Sequence, residues 1–190
     1  ELRITDEQVG EQKLNWLGPG FNLTTSKEDA YLNYGGNGTG SLYRYVVSMK
    51  KPFYANSETE NTELDSDEAS RLIEAIPALR DGYPSVYAER FDSLQEELQL
   101  EATTAGLTHT DIWDMFQEFF GEDKITDNDG EMVSAGYILN GLLRGLGYDG
   151  IVFSAWKNEE FSGGTLGNVT GMTGIQEDTT HYLVFDKDLS

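Results

Sequence analysis

Residues 180–186, Thr180-His181-Tyr182-Leu183-Val184-Phe185-Asp186, decide the fold class of this chain. Their aromatic and β-branched side chains are typical of a buried β-strand. A second stretch of this kind, Gly147-Tyr148-Asp149-Gly150-Ile151-Val152-Phe153, lies before it in the sequence. Leu183 alternates with Phe185, and Ile151 with Phe153, so we expect both strands to turn one face towards a common core.

Two more strands are expected in the N-terminal part of the chain. Residues 20–24 have the pattern of a short strand, and residues 42–49 are aromatic and β-branched up to a stop at Lys51-Pro52. Between them, Ser26 followed by Asp29 is a helix-start signal, and that helix would end near Tyr34. With the two later strands, these segments predict a compact β core.

Residues 56–146 are predicted to be helical. Tyr87, Phe91, Leu94 and Leu98 recur at helical spacing, and a second apolar stripe begins at Ile112. Further helices are expected from Asp65 or Ser66 to Ile76 and from Met132 to Leu146, with Thr108 or Thr110 capping the one between. His109, at a helix start, is expected to cap that helix or to lie on the surface. The fold class is therefore α+β in a single domain spanning residues 1–190: a β core from residues 1–55 and 147–190, with a helical insertion at 56–146.

The acidity of the chain is concentrated in this insertion. The formal net charge is −21, and residues 56–131 hold 21 acidic and 4 basic side chains. Such a charge argues against direct binding to a phosphate backbone. A solvated helical surface is the simplest explanation; a docking face for a basic partner protein and a mimic of DNA are the alternatives.

Composition excludes several other classes of protein. The chain has no cysteine, so it has neither disulfides nor thiolate metal sites, and it suits a reducing compartment or a virion. The loop Asp127-Asn128-Asp129-Gly130 lacks the acidic first and last positions of a calcium-binding EF-hand, and we expect no metal. No apolar run approaches the roughly 20 residues that would span a membrane.

Three motifs in order carry a resemblance to a known family. They are Leu2-Arg3-Ile4, then Gly18-Pro19-Gly20-Phe21-Asn22-Leu23-Thr24 followed by Ala30 and Tyr34, and finally residues 180–186. This series resembles ADP-ribosyltransferases of the diphtheria-toxin and poly(ADP-ribose) polymerase type, and most closely the domains of that type in phage polyvalent proteins. The resemblance implies a split β core, NAD as cofactor, and a virion or the host cytoplasm as location.

The resemblance also implies roles for individual residues. In the family, a histidine on the first strand holds the NAD ribose; that strand would lie before Leu2. A tyrosine that stacks on nicotinamide aligns with Asn22, next to Gly20 and Phe21, and the catalytic glutamate aligns with His181. That glutamate stabilises the positive charge that develops as nicotinamide leaves.

Other residues are candidates to replace the missing groups. Tyr31 or Tyr34 would stack on the nicotinamide ring, and Glu177 would supply the carboxylate, as would three further acidic residues of the same glycine-rich loop: Asp178, Glu159 and Glu160. His181 itself would act as a general base, or it would be a histidine satisfied within the fold.

Three functions follow as alternatives. The first is a phage-type, NAD-binding ADP-ribosyltransferase-like protein with weak or altered transferase activity. The second is a catalytically silent module of the same fold that serves as a virion structural or interaction protein. The third is an acidic decoy of a nucleic-acid-binding protein. The sequence leaves the protein substrate and the oligomeric state open.

Overall fold

The computed structural model describes residues 2–3, 12–30, 43–56, 62–122, 125–155, 179–185 and 188–189. Within them the strands are β1 (Leu2–Arg3), β2 (Phe21–Thr24), β3 (Pro52–Asn56), β4 (Ile125–Thr126), β5 (Met132–Val133), β6 (Gly150–Ala155), β7 (Thr179–Val184) and β8 (Asp188–Leu189). The α-helices are α1 (Lys27–Asp29), α2 (Ser66–Arg80), α3 (Ala88–Thr104), α4 (His109–Phe120) and α5 (Ala135–Gly145), with a 3₁₀ turn at Ser85–Tyr87. In this described part, no helix combines the length and apolar character needed to cross a membrane.

A four-stranded mixed sheet in the order β2-β7-β6-β3 forms the centre of the fold. β7 pairs antiparallel with both β2 and β6, whereas β3 pairs parallel with β6. The strands predicted within residues 20–24, 147–153 and 180–186 are confirmed at Phe21–Thr24, Gly150–Ala155 and Thr179–Val184, and they are direct neighbours in the sheet. The mixed α+β class is also confirmed.

The strand predicted at residues 42–49 is wrong. Residues 43–49 have no regular secondary structure, and the strand begins instead at Pro52, the residue expected to end it. The reason lies in Asp149, which directly precedes β6. Its Oδ2 accepts the backbone N–H groups of Lys50 and Lys51 and so holds the residues before β3 beside the start of β6. The parallel register then starts with Pro52 opposite Gly150. Proline is tolerated at the first residue of a strand.

The helices begin at capping residues close to those predicted. Asp65 accepts the Glu68 N–H at the start of α2, and Thr108 forms a capping box with Asp111 at the start of α4. The predicted start of the last helix at Met132 is wrong: Met132 and Val133 pair with Thr126 and Ile125 in a short hairpin. Ser134 caps α5 instead.

The acidic helical segment and the sheet share one hydrophobic core. α2 and α3 pack together, α4 packs on β3, and α5 packs on α4 and α2. Residues from both parts belong to one buried cluster, among them Phe53, Ile151 and Leu183 from the sheet and Leu72, Phe91 and Phe116 from the helices. The helical segment is therefore integral to the fold and is not an appended lobe.

A proline inside α2 is accommodated by a side chain of the next helix. Pro77 has no N–H, so the Ile73 carbonyl four residues earlier loses its helical partner. The Gln95 Nε2 of α3 donates to that carbonyl at 3.2 Å. Gln95 therefore completes the hydrogen bonding of α2 from outside and ties the two helices together.

We expect Gln95→Leu to lower the free energy of unfolding by about 1 kcal/mol, because it leaves the Ile73 carbonyl without that donor. The loss should shrink in a Pro77→Ala background, since the new N–H can bond to the same carbonyl. Urea unfolding of the parent, the two single variants and the double variant measures this coupling. Strictly additive effects would show that Gln95 does not serve the carbonyl.

Candidate functional site

His181, which aligns with the family glutamate, lies in the interior of the molecule. Its side chain is only 3% exposed. β7 turns it to the same face as Leu183, and the register places Phe153 of β6 opposite it on one side and Thr24 of β2 on the other. The Trp16 ring meets the imidazole edge-on with centroids 5.7 Å apart. His181 is thus packed among aromatic side chains.

Asp29 is the acidic neighbour of this histidine. Its Oδ2 lies 3.9 Å from His181 Nδ1, and its residue exposure is 1%. Asp29 is held in place because Ser26 caps α1 and accepts the Asp29 N–H at 3.1 Å. The Ser26–Asp29 signal in the sequence therefore marks the residue that faces His181, although it was interpreted only as a helix start.

Hydroxyl groups fix the ends of β2 and β7 beside this pair. The Thr24 and Thr179 hydroxyls lie 2.8 Å apart, and Thr24 Oγ1 also accepts the Ser26 N–H. Thr25 Oγ1 accepts the Thr180 N–H at 2.9 Å. These bonds couple the start of α1 to β7, so Asp29 and His181 are positioned by a common scaffold.

Burial lowers the pKa of His181 below its ordinary value, and the nearby Asp29 carboxylate opposes that shift. The imidazole is therefore neutral at pH 7. A carboxylate beside one ring nitrogen is an arrangement that can orient a histidine as a general base. Here neither side chain is open to solvent, so the pair could act only on a group brought into the core.

Trp16 reaches this site because α5 holds the segment before β2. The Ser134 N–H and hydroxyl donate to the carbonyls of Lys13 and Asn15. Asn140 Nδ2 donates to the next two alternate carbonyls, those of Leu17 and Pro19. Four alternate carbonyls of residues 13–19 are thus bound by one helix and its cap. Trp16 was not among the residues expected at the site; an asparagine on an otherwise apolar helix face, Asn140, was the available signal.

The remaining predicted site residues are only partly brought together. Gly20 lies against β7, where a Cβ would be 2.6 Å from the Val184 carbonyl oxygen. Phe21 and Asn22 follow on β2, half-buried, and Asn22 is opposite Leu183, two residues along from His181 and on the same face. Tyr31, Tyr34 and Glu177 lie outside the described residues.

His109 forms a second buried polar site, and the prediction that it caps the helix or lies on the surface is wrong, because Thr108 is the cap and His109 is buried. It is 4% exposed, and its ring stacks on Phe53 with centroids 4.5 Å apart. Nδ1 accepts the Tyr54 N–H at 3.1 Å, which covers the open edge of β3. Nε2 lies 3.3 Å from the Tyr148 hydroxyl, which donates to Glu68. His109 therefore joins the helical segment to the sheet.

An open groove of about 740 Å³ lies between α2 and α5, away from both histidines. Ala75, Leu79, Gly141 and Gly145 form much of its lining, and Tyr83, Tyr137 and the β4–β5 loop close one end. The described residues contain no cluster of three histidine or acidic side chains placed to share a metal ion. The groove and the His181 pair are thus separate features.

Comparison with protein-family models, with curated proteins and with solved structures returned no match for this chain.

Proposed function

We propose that this chain is an ADP-ribosyltransferase-like module that lacks efficient transferase chemistry and works by binding a protein partner. Its net charge of −21 makes a basic partner the favoured class. A phage polyvalent protein, in a virion or in the host cytoplasm, is the setting that the sequence resemblance implies.

The adjacency of the motifs supports the family part of this proposal. The strand at Phe21–Thr24 pairs with the strand at Thr179–Val184, and that strand pairs with Gly150–Ala155. Two of the three motifs, on β2 and β7, therefore lie side by side, whereas Leu2–Arg3 of the first motif pairs with β8 in a separate two-stranded sheet. Asn22 and His181, which align with the family's tyrosine and glutamate, lie on these two paired strands.

The burial of His181 carries the functional part of the proposal. Nicotinamide departure needs an anion beside the developing positive charge. At the aligned position the chain has a neutral imidazole, 3% exposed and packed against Trp16. The Asp29 carboxylate nearby is 1% exposed and faces the same imidazole. Both side chains serve the packing of α1 on β7.

The competing function is NAD binding with weak or altered transfer. In that case His181 would act as a base with Asp29 behind it, and Asn22 would lie beside the nicotinamide. The two functions differ in one measurable property, the release of nicotinamide from NAD. The acidic decoy of a nucleic-acid-binding protein is a special form of the partner-binding function.

We expect the unaltered chain to release nicotinamide from NAD no faster than a protein-free control, because His181, at the position that aligns with the family glutamate, supplies no anion. His181→Ala should leave that baseline unchanged. His181→Glu should gain release only if the remaining nucleotide site can bind NAD. Chromatographic measurement of nicotinamide, with thermal melting of each variant to verify folding, decides the matter.

Rapid release by the unaltered chain that His181→Ala abolishes would overturn the proposal and establish His181 as catalytic. Rapid release that His181→Ala leaves intact would place the chemistry elsewhere, with Glu177 as the next residue to replace. NAD binding without release, seen by calorimetry, would retain the nucleotide site and remove only the transferase activity.

A further inference from the structure

The groove between α2 and α5 has walls of small side chains. Ala75 and Ala78 lie on α2, and Gly141 and Gly145 lie one turn apart on α5. A Cβ at Gly141 would meet only Leu79, at 3.9 Å, and a Cβ at Gly145 would have no described atom within 4 Å. As far as the described residues go, space for a third element therefore remains above both glycines. Small residues at helical spacing allow a helix to approach closely.

The cations that line the groove are engaged within the chain. Lys13 pairs with Asp127 and Glu131. Arg144 donates to the Asn140 side chain and to the carbonyls of Phe185 and Pro19. These contacts pair both positive charges with carboxylates, a side-chain amide and backbone carbonyls of this chain. The floor of the groove, meaning the surface that remains for an occupant, is therefore mainly apolar.

Acidic side chains lie at one end of the groove and beside it. Asp129, in the β4–β5 loop, is exposed and lines the groove. Glu74 is exposed on α2, one turn before the lining residue Ala78, and Asp81 is exposed directly after α2 ends. An occupant with an apolar face and cationic flanks would match both the apolar floor and these acidic side chains.

We propose that this groove is the docking site of a basic, amphipathic helix of a partner protein. The proposal rests on the proposed function, since it names the surface through which the partner-binding module would act. α5 has 11 residues, about 16 Å of helix, so the groove accommodates roughly three turns. Apolar residues three and four apart on the partner would pack over Gly141 and Gly145 in the manner of helix-in-groove recognition.

The test uses the full chain and a synthetic peptide of leucine and lysine, roughly 15 residues long, with leucines at helical spacing. A peptide of the same composition in scrambled order is the control probe. Fluorescence anisotropy of the labelled peptide gives the dissociation constant. Gly145→Leu and, from the opposite wall, Ala78→Leu fill the groove without meeting described backbone at Gly145. Gln99→Leu, on the exposed face of α3, is the matched control.

We expect the amphipathic peptide to bind the parent and Gln99→Leu alike, and both groove variants at least about tenfold more weakly, since an anchor pocket is lost. The scrambled peptide should show no such difference. Equal binding to all four proteins would overturn the groove and leave only general attraction to the acidic surface. Self-association of the parent that both groove variants abolish would identify a second copy as occupant and would also overturn the proposal. Nicotinamide release is measured on the same proteins. Rapid release would overturn the proposed function, whereas equal peptide binding without release would overturn only the groove.

Discussion

Replacing Gly136 by alanine is expected to lower the free energy of unfolding by about 3 kcal/mol, the upper range for overpacking a buried site. A Cβ at this position would overlap the Trp16 carbonyl oxygen and press on the Cα of Leu17. Both obstacles are backbone atoms of a segment that Asn140 and Ser134 also hold. Neither the helix nor the segment can yield without breaking those hydrogen bonds.

Gly141→Ala in the same helix is the matched control. Its Cβ would have only ordinary contact with Leu79, and alanine favours an exposed helical position over glycine by up to about 1 kcal/mol. The two substitutions should therefore shift the urea midpoint in opposite directions. Loss of stability at Gly136 should also move Trp16 from its place beside His181, which tryptophan fluorescence would detect. Equal stability of the two variants would show that residues 13–19 do not pack against α5 at this distance.

The strands that could be predicted are those whose pattern of apolar residues suits the strands beside them in the sheet. β7 alternates buried and half-buried residues from Thr179 to Tyr182, as the sequence indicated, whereas Gly150 to Phe153 of β6 are all buried, with Ile151 opposite Leu183 in the core. Residues 43–49 have equal strand propensity but no strand partner among the described residues, and Val46 is 99% exposed. Strand propensity favours an extended backbone but does not determine which strand it pairs with. Here the contacts of Asp149 with Lys50 and Lys51, and the parallel pairing of β3 with β6, place the strand at Pro52–Asn56.

The candidate sites could be predicted only in part, for a similar reason. His181 was identified because it occupies a motif position, whereas Asp29 was interpreted only as part of a helix start after Ser26. That the two face each other depends on the pairing of β2 with β7, which joins segments more than 150 residues apart. Trp16 belongs to the site through carbonyl contacts with α5 that leave no periodic pattern. His109 was expected at a helix start and is found there, but its buried bond to the β3 edge depends on how α4 packs.

Lowering the pH from about 6.5 to about 4 should destabilise the protein through His109. Burial, the largest cause, lowers the pKa of His109 from 6.5 to about 4; Glu68 partly opposes the shift and Lys51 adds to it. In the unfolded chain the same group titrates near 6.5, so the unfolded state binds more protons throughout this interval. Stability from neutral His109 is therefore fully present above about pH 6.5 and is lost progressively as the pH falls towards 4.

The size of this effect follows from the shift itself. A pKa difference of this size corresponds to roughly 3 kcal/mol. Protonation would also make Nδ1 a donor, and it then could not accept the Tyr54 N–H at the edge of β3. Burial lowers the pKa of His181 as well, so the second histidine destabilises in the same direction. Both histidines must therefore be replaced separately to assign the loss.

Urea midpoints of the parent, His109→Gln and His181→Gln at pH 7 and at about pH 4.5 make the comparison. Glutamine is neutral at both pH values, so His109→Gln should be less stable than the parent at pH 7 and should show a smaller loss on acidification. The many carboxylates of the chain are present in all three proteins, and their common contribution is removed by taking differences. An acid-dependent loss of the same size in His109→Gln as in the parent would show that His109 is not the buried group responsible. The contact between the start of α4 and the edge of β3 would then depend on the hydrogen bond from Tyr148 to Glu68 and not on a titrating histidine.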